Sequence, residues 1–268
     1  MKIRFYHLLF GGLIAATISS CASNPYAATN RIYKQQTKVL AKTIRQIPAA
    51  QPGQDWAGTT NFGLRKPNYV IIHHTAQTST EQTLKTFTLP RTQVSAHYVI
   101  GRDGKVYHML NDYLRAWHAG VSKWGNSIDI NSSSIGIELD NNGFEPFSEP
   151  QITSLVNVLA ELKKNYGIPT ANFIGHSDIA PGRKVDPNAN FPWKDLSEKG
   201  FGLWPDAVLD SVPENFNPKE ALRIIGYDVS NIDFAIHSFK LHFIQNDLSP
   251  MLTETDKQVL FNLYKKYL

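Results

Sequence analysis

The sequence predicts an α/β or α+β domain, a sheet with helices on its faces, followed by a small helical module. Three observations carry that expectation. Short apolar runs rich in β-branched residues, such as Tyr69–His74 (YVIIHH) and Ser134–Leu139 (SIGIEL), read as buried strands. Capped segments with apolar residues at helical spacing alternate with them, which is the pattern of helices laid on a sheet. After residue 216 the pattern turns wholly helical.

Residues 1–20 (MKIRFYHLLFGGLIAATISS) have the form of a secretory leader, with Lys2 and Arg4 before an apolar stretch too short to span a bilayer comfortably. Ile18-Ser19-Ser20-Cys21 resembles a bacterial lipobox, in which Cys21 is acylated and becomes the mature N-terminus. Several acyl chains on one residue hold a protein stably on a membrane, where a single chain is marginal. Ala22, in place of an Asp, points by resemblance to the outer membrane, with the protein facing the periplasm. Residues 21–60 are polar, with Gln and Thr clusters and Pro52-Gly53-Gln54, and read as a tether and approach segment.

The main domain is expected over 61–210. Tyr69–His74 is its first strand, and Ser79 caps a helix over 80–88. Two strands, 97–100 and 106–110, flank Arg102-Asp103-Gly104-Lys105, where Asp-Gly signals a hairpin. Ser134–Leu139 is a further strand. Ser148 opens a helix running to Tyr166, with Pro150 in its first turn, Gly167 at its end, and Ile152, Leu155, Val156, Leu159 and Leu162 on one face. Residues 172–175 form a short strand leading into His176. Pro-rich, aromatic loops fill 178–216. Within 211–268 three short helices follow, one from Asn217-Pro218 to Gly226, one over 231–245 and one from Thr253 onward. A module of that size has a limited core of its own.

Composition narrows the function classes. The chain has 268 residues, 42% hydrophobic and 19% charged, which suits a packed core. Of the net charge of +4, Lys2 and Arg4 in the leader supply two, and no stretch clusters Lys and Arg as a phosphate-binding face requires. Nucleic acid is therefore not an expected partner. A single cysteine excludes an intramolecular disulfide and a Cys-rich metal site, and leaves Cys21 as the one possible cysteine nucleophile. No Gly-x-Ser-x-Gly elbow is present for a serine hydrolase.

Histidines carry the chemistry. His73 and His74 end one strand and His176 follows another, with Asp186 ten residues on, in HSDIAPGRKVD. Strand ends meet where loops gather, so His73, His176 and Asp186 could share one metal ion, and two imidazoles with one carboxylate are a common catalytic zinc set. On spacing alone, structural histidines and a turn aspartate before Pro187 are the commoner reading. Strand alternation sends His73 and His74 to opposite faces, so both cannot easily serve one ion.

Six strings stand in one order: Ile72-His73-His74-Thr75-Ala76, Val94-Ser95-Ala96-His97-Tyr98, Arg102-Asp103-Gly104, Trp117-His118-Ala119-Gly120, Ser134-Ile135-Gly136-Ile137-Glu138, and residues 176–187. Together, over about 61–268, they resemble the zinc-dependent N-acetylmuramoyl-L-alanine amidases, relatives of phage amidases and of peptidoglycan-recognition proteins. The resemblance implies a mixed central β-sheet flanked by helices, and cleavage of the amide between the lactyl group of N-acetylmuramic acid and L-alanine in peptidoglycan or muropeptides. It implies Zn2+ on His73, His176 and Asp186, with Glu138 as the catalytic carboxylate and Lys184 as the catalytic cation. His74 departs from the usual residue at its position. Arg183 is a candidate for a stem-peptide carboxylate, and Trp117 and His118 for the substrate groove or for structure. Trp124, Trp193 and Trp204 could stack on sugar faces, with core packing the better expectation for at least two. The helical tail looks like a peptidoglycan-binding module. A non-catalytic recognition protein of the same fold is the alternative; such relatives typically lose a ligand, whereas His73, His176, Asp186, Glu138 and Lys184 all stand here.

Overall fold

The computed structural model describes residues 24–46, 59, 61, 63, 64 and 66–268. The leader, Cys21 and the stretch around Pro52-Gly53-Gln54 lie outside the described residues. The chain forms two compact units, Met1–Thr60 and Asn61–Leu268. In the first, the described part is a helix, α1 (Ala27–Ile44), with no buried residue. The tether expected over 21–60 thus contains 18 helical residues. Ala, Lys, Gln and Leu favour a helix intrinsically, and the Gln and Thr residues that suggested an open segment are spread around a helix with no buried residue.

The second unit is built on a five-stranded mixed sheet in the order β3-β2-β4-β1-β5. Its strands are β1 (Tyr69–His74), β2 (Tyr98–Ile100), β3 (Val106–His108), β4 (Ser134–Leu139) and β5 (Phe173–Gly175). β4 runs parallel to β1 and β2, β5 runs parallel to β1, and the β2–β3 hairpin adds the one antiparallel pair. The Asp103-Gly104 turn closes as expected, with Gly104 at φ +82° and the Gly101 amide donating to Lys105 O. The helices are α2 (Thr80–Thr88), α3 (Glu149–Tyr166), α4 (His176–Ile179), α5 (Trp193–Glu198), α6 (Pro218–Ile225), α7 (Ile232–Phe243) and α8 (Glu254–Lys266). Ser79, Ser148, Asn217, Asn231 and Thr253 cap α2, α3, α6, α7 and α8 through their side chains. The short helices α4 and α5 fall where loops were expected; neither is long enough to display an apolar repeat.

Each sheet face carries its own core. Val70, Ile72, Ile135, Ile137 and Leu139 pack with Leu155, Leu159 and Leu162 of α3. On the other face, Ile71 and Ile174 pack with Leu222, Ile225, Phe239 and Leu260 of the C-terminal helices. Residues after 210 therefore share a core with the sheet. Trp124 and Trp193 are buried in these cores, and Trp204 packs against them. Among the described residues, no helix is long and apolar enough to cross a membrane.

Lys240 of α7 is fully buried, and its ammonium reaches Asp247 at 2.5 Å, Met251 O at 2.9 Å and Asp256 at 3.2 Å. Removing one partner of a buried pair strands the other. Lys240→Met should cost about 3 kcal/mol, read as a lower urea midpoint for one cooperative transition of the whole 61–268 unit. An early, separate transition would mean that the helices fold apart from the sheet.

Candidate metal centre

β1 and β4 lie in register with His73 opposite Glu138, and Ile72 pairs with Gly175, the residue before His176. Parallel pairing puts opposed residues on one face, so His73, Glu138 and His176 gather at the carboxyl edge of the sheet, where α/β folds hold their ligands. The 176–186 loop then turns back on itself. The Ser177 amide donates to Asp186 O at 2.8 Å, which brings Asp186 beside His176.

The ligand atoms converge closely. His73 Nδ1 is 2.9 Å from His176 Nδ1 and 3.2 Å from Asp186 Oδ2, and His176 Nδ1 is 3.0 Å from Asp186 Oδ2. All three residues are buried. A tetrahedral ion with bonds of about 2.0–2.2 Å needs its ligands roughly 3.3–3.5 Å apart, a small outward adjustment.

Hydrogen-bond accounting explains why these atoms meet. Ser134 Oγ donates to Ile130 O at 2.6 Å, so it accepts from His118 Nε2 at 3.2 Å. His118 Nδ1 is then a bare lone pair and accepts from His73 Nε2 at 3.1 Å. His176 Nε2 donates to Ala119 O at 3.1 Å. In neutral rings this leaves Nδ1 of His73 without a proton, and the Ala119 carbonyl selects the same tautomer for His176 over the longer contact of Arg183 Nη2 with His176 Nε2 at 3.3 Å. Burial and the neighbouring His176 lower His73 to about 4, and burial with the adjoining His73 takes His118 well below its usual range. Two imidazole lone pairs and a carboxylate oxygen then face one another with no hydrogen among them, and a cation satisfies all three.

One loop supplies the outer partner of both histidines: His118 for His73, and the Ala119 carbonyl for His176. Asn131 fixes that loop by accepting from the His118 and Ala119 amides at 3.1 and 2.9 Å. Gly136 lets the loop approach β4, since a Cβ there would lie 2.4 Å from His118 Cγ. From the C-terminal region, Tyr227 Oη and His242 Nδ1 each reach Asp178 at 2.7 Å, and the Gly175 amide donates to the same carboxylate at 2.7 Å. Asp178 therefore ties the turn that carries His176 to the C-terminal helices. His74 points to the opposite face, where its Nδ1 accepts from the Asn188 amide at 3.1 Å and steadies the chain beyond Asp186.

His73, His176 and Asp186 line a cavity of about 420 Å³ with Trp117, Val94, Val185, Arg183, Lys184 and Glu138 at its wall. Glu138 is buried, and its Oε2 has no hydrogen-bond partner among the described residues. Burial and the Asp186 carboxylate raise it to about 8, against the opposing pull of Lys184. Trp117 is 52% exposed. Arg183 donates from Nε to Val121 O at 2.9 Å and from Nη2 to Ala119 O at 2.6 Å, sharing that carbonyl with His176. His118, expected in the groove or in the framework, is buried against His73 while its edge reaches the cavity. Asn131, Ser134 and Asp178 were not singled out from the sequence. The polar positions of SIGIEL, set between buried Ile and Leu at period two, were the available signal for Ser134.

A family model described as N-acetylmuramoyl-L-alanine amidase matches residues 63–189. The chain is 33% identical over 220 residues to N-acetylmuramoyl-L-alanine amidase AmiD of Escherichia coli, covering 76% of this chain and 71% of that one. It is 40% identical over 103 residues to 1,6-anhydro-N-acetylmuramyl-L-alanine amidase AmpD of Haemophilus influenzae, covering 38% of this chain and 56% of that one. The solved complex of E. coli AmiD with anhydro-N-acetylmuramic acid-L-Ala-D-gamma-Glu-L-Lys matches at TM-score 0.69 and 27% identity, over 81% of this chain and 97% of that one. AMPDH3 of Pseudomonas aeruginosa matches at TM-score 0.70 and 27% identity, over 82% of this chain and 99% of that one.

Outer partners of metal-bound histidines typically change metal affinity by about 10–100-fold. His118→Ala should weaken metal binding within that range in a competition assay with a chromophoric chelator. Gly136→Ala should act in the same direction by displacing His118, while Trp117→Ala leaves affinity unchanged. Wild-type affinity in both His118→Ala and Gly136→Ala would remove the outer hydrogen bond from the account.

Proposed function

The chain belongs to the N-acetylmuramoyl-L-alanine amidase family, and on that premise we propose that it hydrolyses the amide between N-acetylmuramic acid, or its anhydro form, and L-alanine, with Zn2+ held by His73, His176 and Asp186. The observation that carries the metal reading is the meeting of two imidazole Nδ1 atoms and one carboxylate oxygen within 3.2 Å. Nitrogen and oxygen donors in a buried three-ligand set suit Zn2+ with an open fourth position. When bound, the ion supplies Lewis acidity at the scissile carbonyl and lowers the pKa of water toward about 7.

The chain's own residues do the rest. Glu138 takes a proton from the attacking water onto its carboxylate and passes one to the departing nitrogen of L-alanine. The C–O bond forms first, as the carbonyl π electrons move to its oxygen; the carbonyl then re-forms as the C–N bond breaks with protonation of nitrogen, and the products are the lactyl carboxylate and a free amine. A carboxyl poised near neutrality suits both halves of that transfer. Lys184 lines the cavity, and its Nζ has no hydrogen-bond partner among the described residues; its charge suits the oxyanion that develops on the lactyl carbonyl. Trp117 offers an exposed aromatic surface to the sugar or peptide. Arg183 keeps Nη1 for a stem-peptide carboxylate while Nε and Nη2 brace the 119–121 backbone.

Catalysis belongs to 61–210 in this reading, with 211–268 as a helical, peptidoglycan-binding-like region built onto the same core. Cys21 is the proposed acylation site of an outer-membrane lipoprotein facing the periplasm. Its support is the apolar leader, the Ile18-Ser19-Ser20 approach and the position of the sole cysteine.

His176→Ala should lose the bound metal, read by elemental analysis as a fall from one equivalent toward none. Glu138→Gln should keep the metal and lose about 10²–10⁴ in turnover, read by mass spectrometry of products from a defined anhydro-muropeptide. Metal loss with Glu138→Gln, or near wild-type turnover, would take Glu138 out of the proton transfer. Cys21→Ser should abolish metabolic incorporation of a labelled fatty acid into the protein; undiminished labelling would count against acylation at Cys21.

A further inference from the structure

We propose that α1 is a membrane-surface helix, its apolar side seated in the headgroup region of an anionic bilayer. This goes beyond the amidase reading and does not rest on acylation at Cys21.

Along the sequence the cations of this segment look scattered. Arg31, Lys34, Lys38, Lys42 and Arg45 are separated by three or four residues, and residues 24–46 contain no Asp or Glu. Winding at 100° per residue gathers all five into an arc of about 80°. Ala28, Ile32, Val39, Leu40 and Ile44 fall in an arc of about 160° centred nearly opposite, interleaved with the uncharged Thr29, Gln36 and Thr43. Ile32, Val39, Leu40 and Ile44 are 50, 65, 47 and 78% exposed. None of the five cations forms an ion pair with a described residue.

Charge and pattern together select the occupant. A helix with five cations on its polar side is too polar to cross a bilayer, and α1 is not apolar enough to do so. An uncharged, largely apolar arc opposite one that gathers every charge of the helix is the signature of a helix lying in the interface. The helix is roughly 10–12 Å across, so even cations on the water side lie within about one Debye length of anionic headgroups. A protein partner covering the apolar arc would leave an uncompensated row of five like charges; an anionic membrane answers both sides at once. The consequence is a second membrane contact close to the N-terminus, independent of any acyl chain.

The test uses the mature, unacylated chain (residues 22–268) and vesicles either rich in phosphatidylglycerol or of phosphatidylcholine alone. Co-sedimentation should favour the phosphatidylglycerol vesicles and weaken in high salt. Replacing Ile32, Val39, Leu40 and Ile44 with Ser should lower partitioning at least about tenfold. Lys34→Gln, Lys38→Gln and Lys42→Gln together should erase the preference for anionic lipid. Muropeptide turnover should be unchanged in both variants, since neither touches the cavity. Equal partitioning of wild type and both variants would overturn the proposal. So would a fall in the thermal midpoint of the unit 61–268, or loss of self-association, in the serine variant, because the apolar arc would then be packed on this chain or on a second copy.

Discussion

Three atoms that repel one another in the absence of a positive charge sit at the centre of this protein. Two imidazole lone pairs and a carboxylate oxygen are held within 3.2 Å, inside a buried pocket at the carboxyl edge of the sheet's parallel strands. Such an arrangement is costly without a cation and favourable with one, because each donor would otherwise lose its hydration without replacement. The hydrogen-bond pattern around it makes sense as a device for keeping protons away. Both outer nitrogens are committed as donors, one to His118 and one to the Ala119 carbonyl. A metal held by this candidate set would therefore depend on residues that never touch it.

That dependence reaches far into the fold. β4 gives one face to apolar packing and the other to Ser134, Gly136 and Glu138, so a single strand anchors the outer shell, makes room for it and carries the candidate proton shuttle. Asn131 sets the loop that bears His118 and Ala119. On the far side, Asp178 joins the His176 turn to Tyr227 and to His242, whose ring is stacked between Trp193 and Phe243. The C-terminal helices thus serve as part of the scaffold of the site, whatever else they bind. Glu138 stands apart electrostatically: desolvation and Asp186 hold its proton more tightly than an ordinary carboxylate does, which fits a group that must release a proton to an amine as well as accept one.

Much of this was legible in the chain. The strands around YVIIHH and SIGIEL, the Asp-Gly hairpin and the capped helices α2, α3, α6, α7 and α8 are written in local chemistry that tertiary packing did not override. The split of His73 from His74 followed from strand alternation, and His74 indeed faces away, toward Asn188. Other features depend on distances that no local pattern encodes. Asn131 and Asp178 look like ordinary polar residues until the loop and the C-terminal helices are folded against them. The role of His118 needs the register of β4 and the absence of a side chain at Gly136. Helix α1 was hidden because its cations and apolar residues interleave along the chain and separate only when wound.

Zinc K-edge X-ray absorption on the metal-loaded protein tests the central claim most directly. The coordination shell should contain two imidazoles completed by oxygen donors at about 2.0–2.2 Å, with no sulfur, and His73→Ala should reduce the imidazole count to one. A shell without imidazole scattering, or an imidazole count unchanged by His73→Ala, would contradict the donor set on which the mechanism is built.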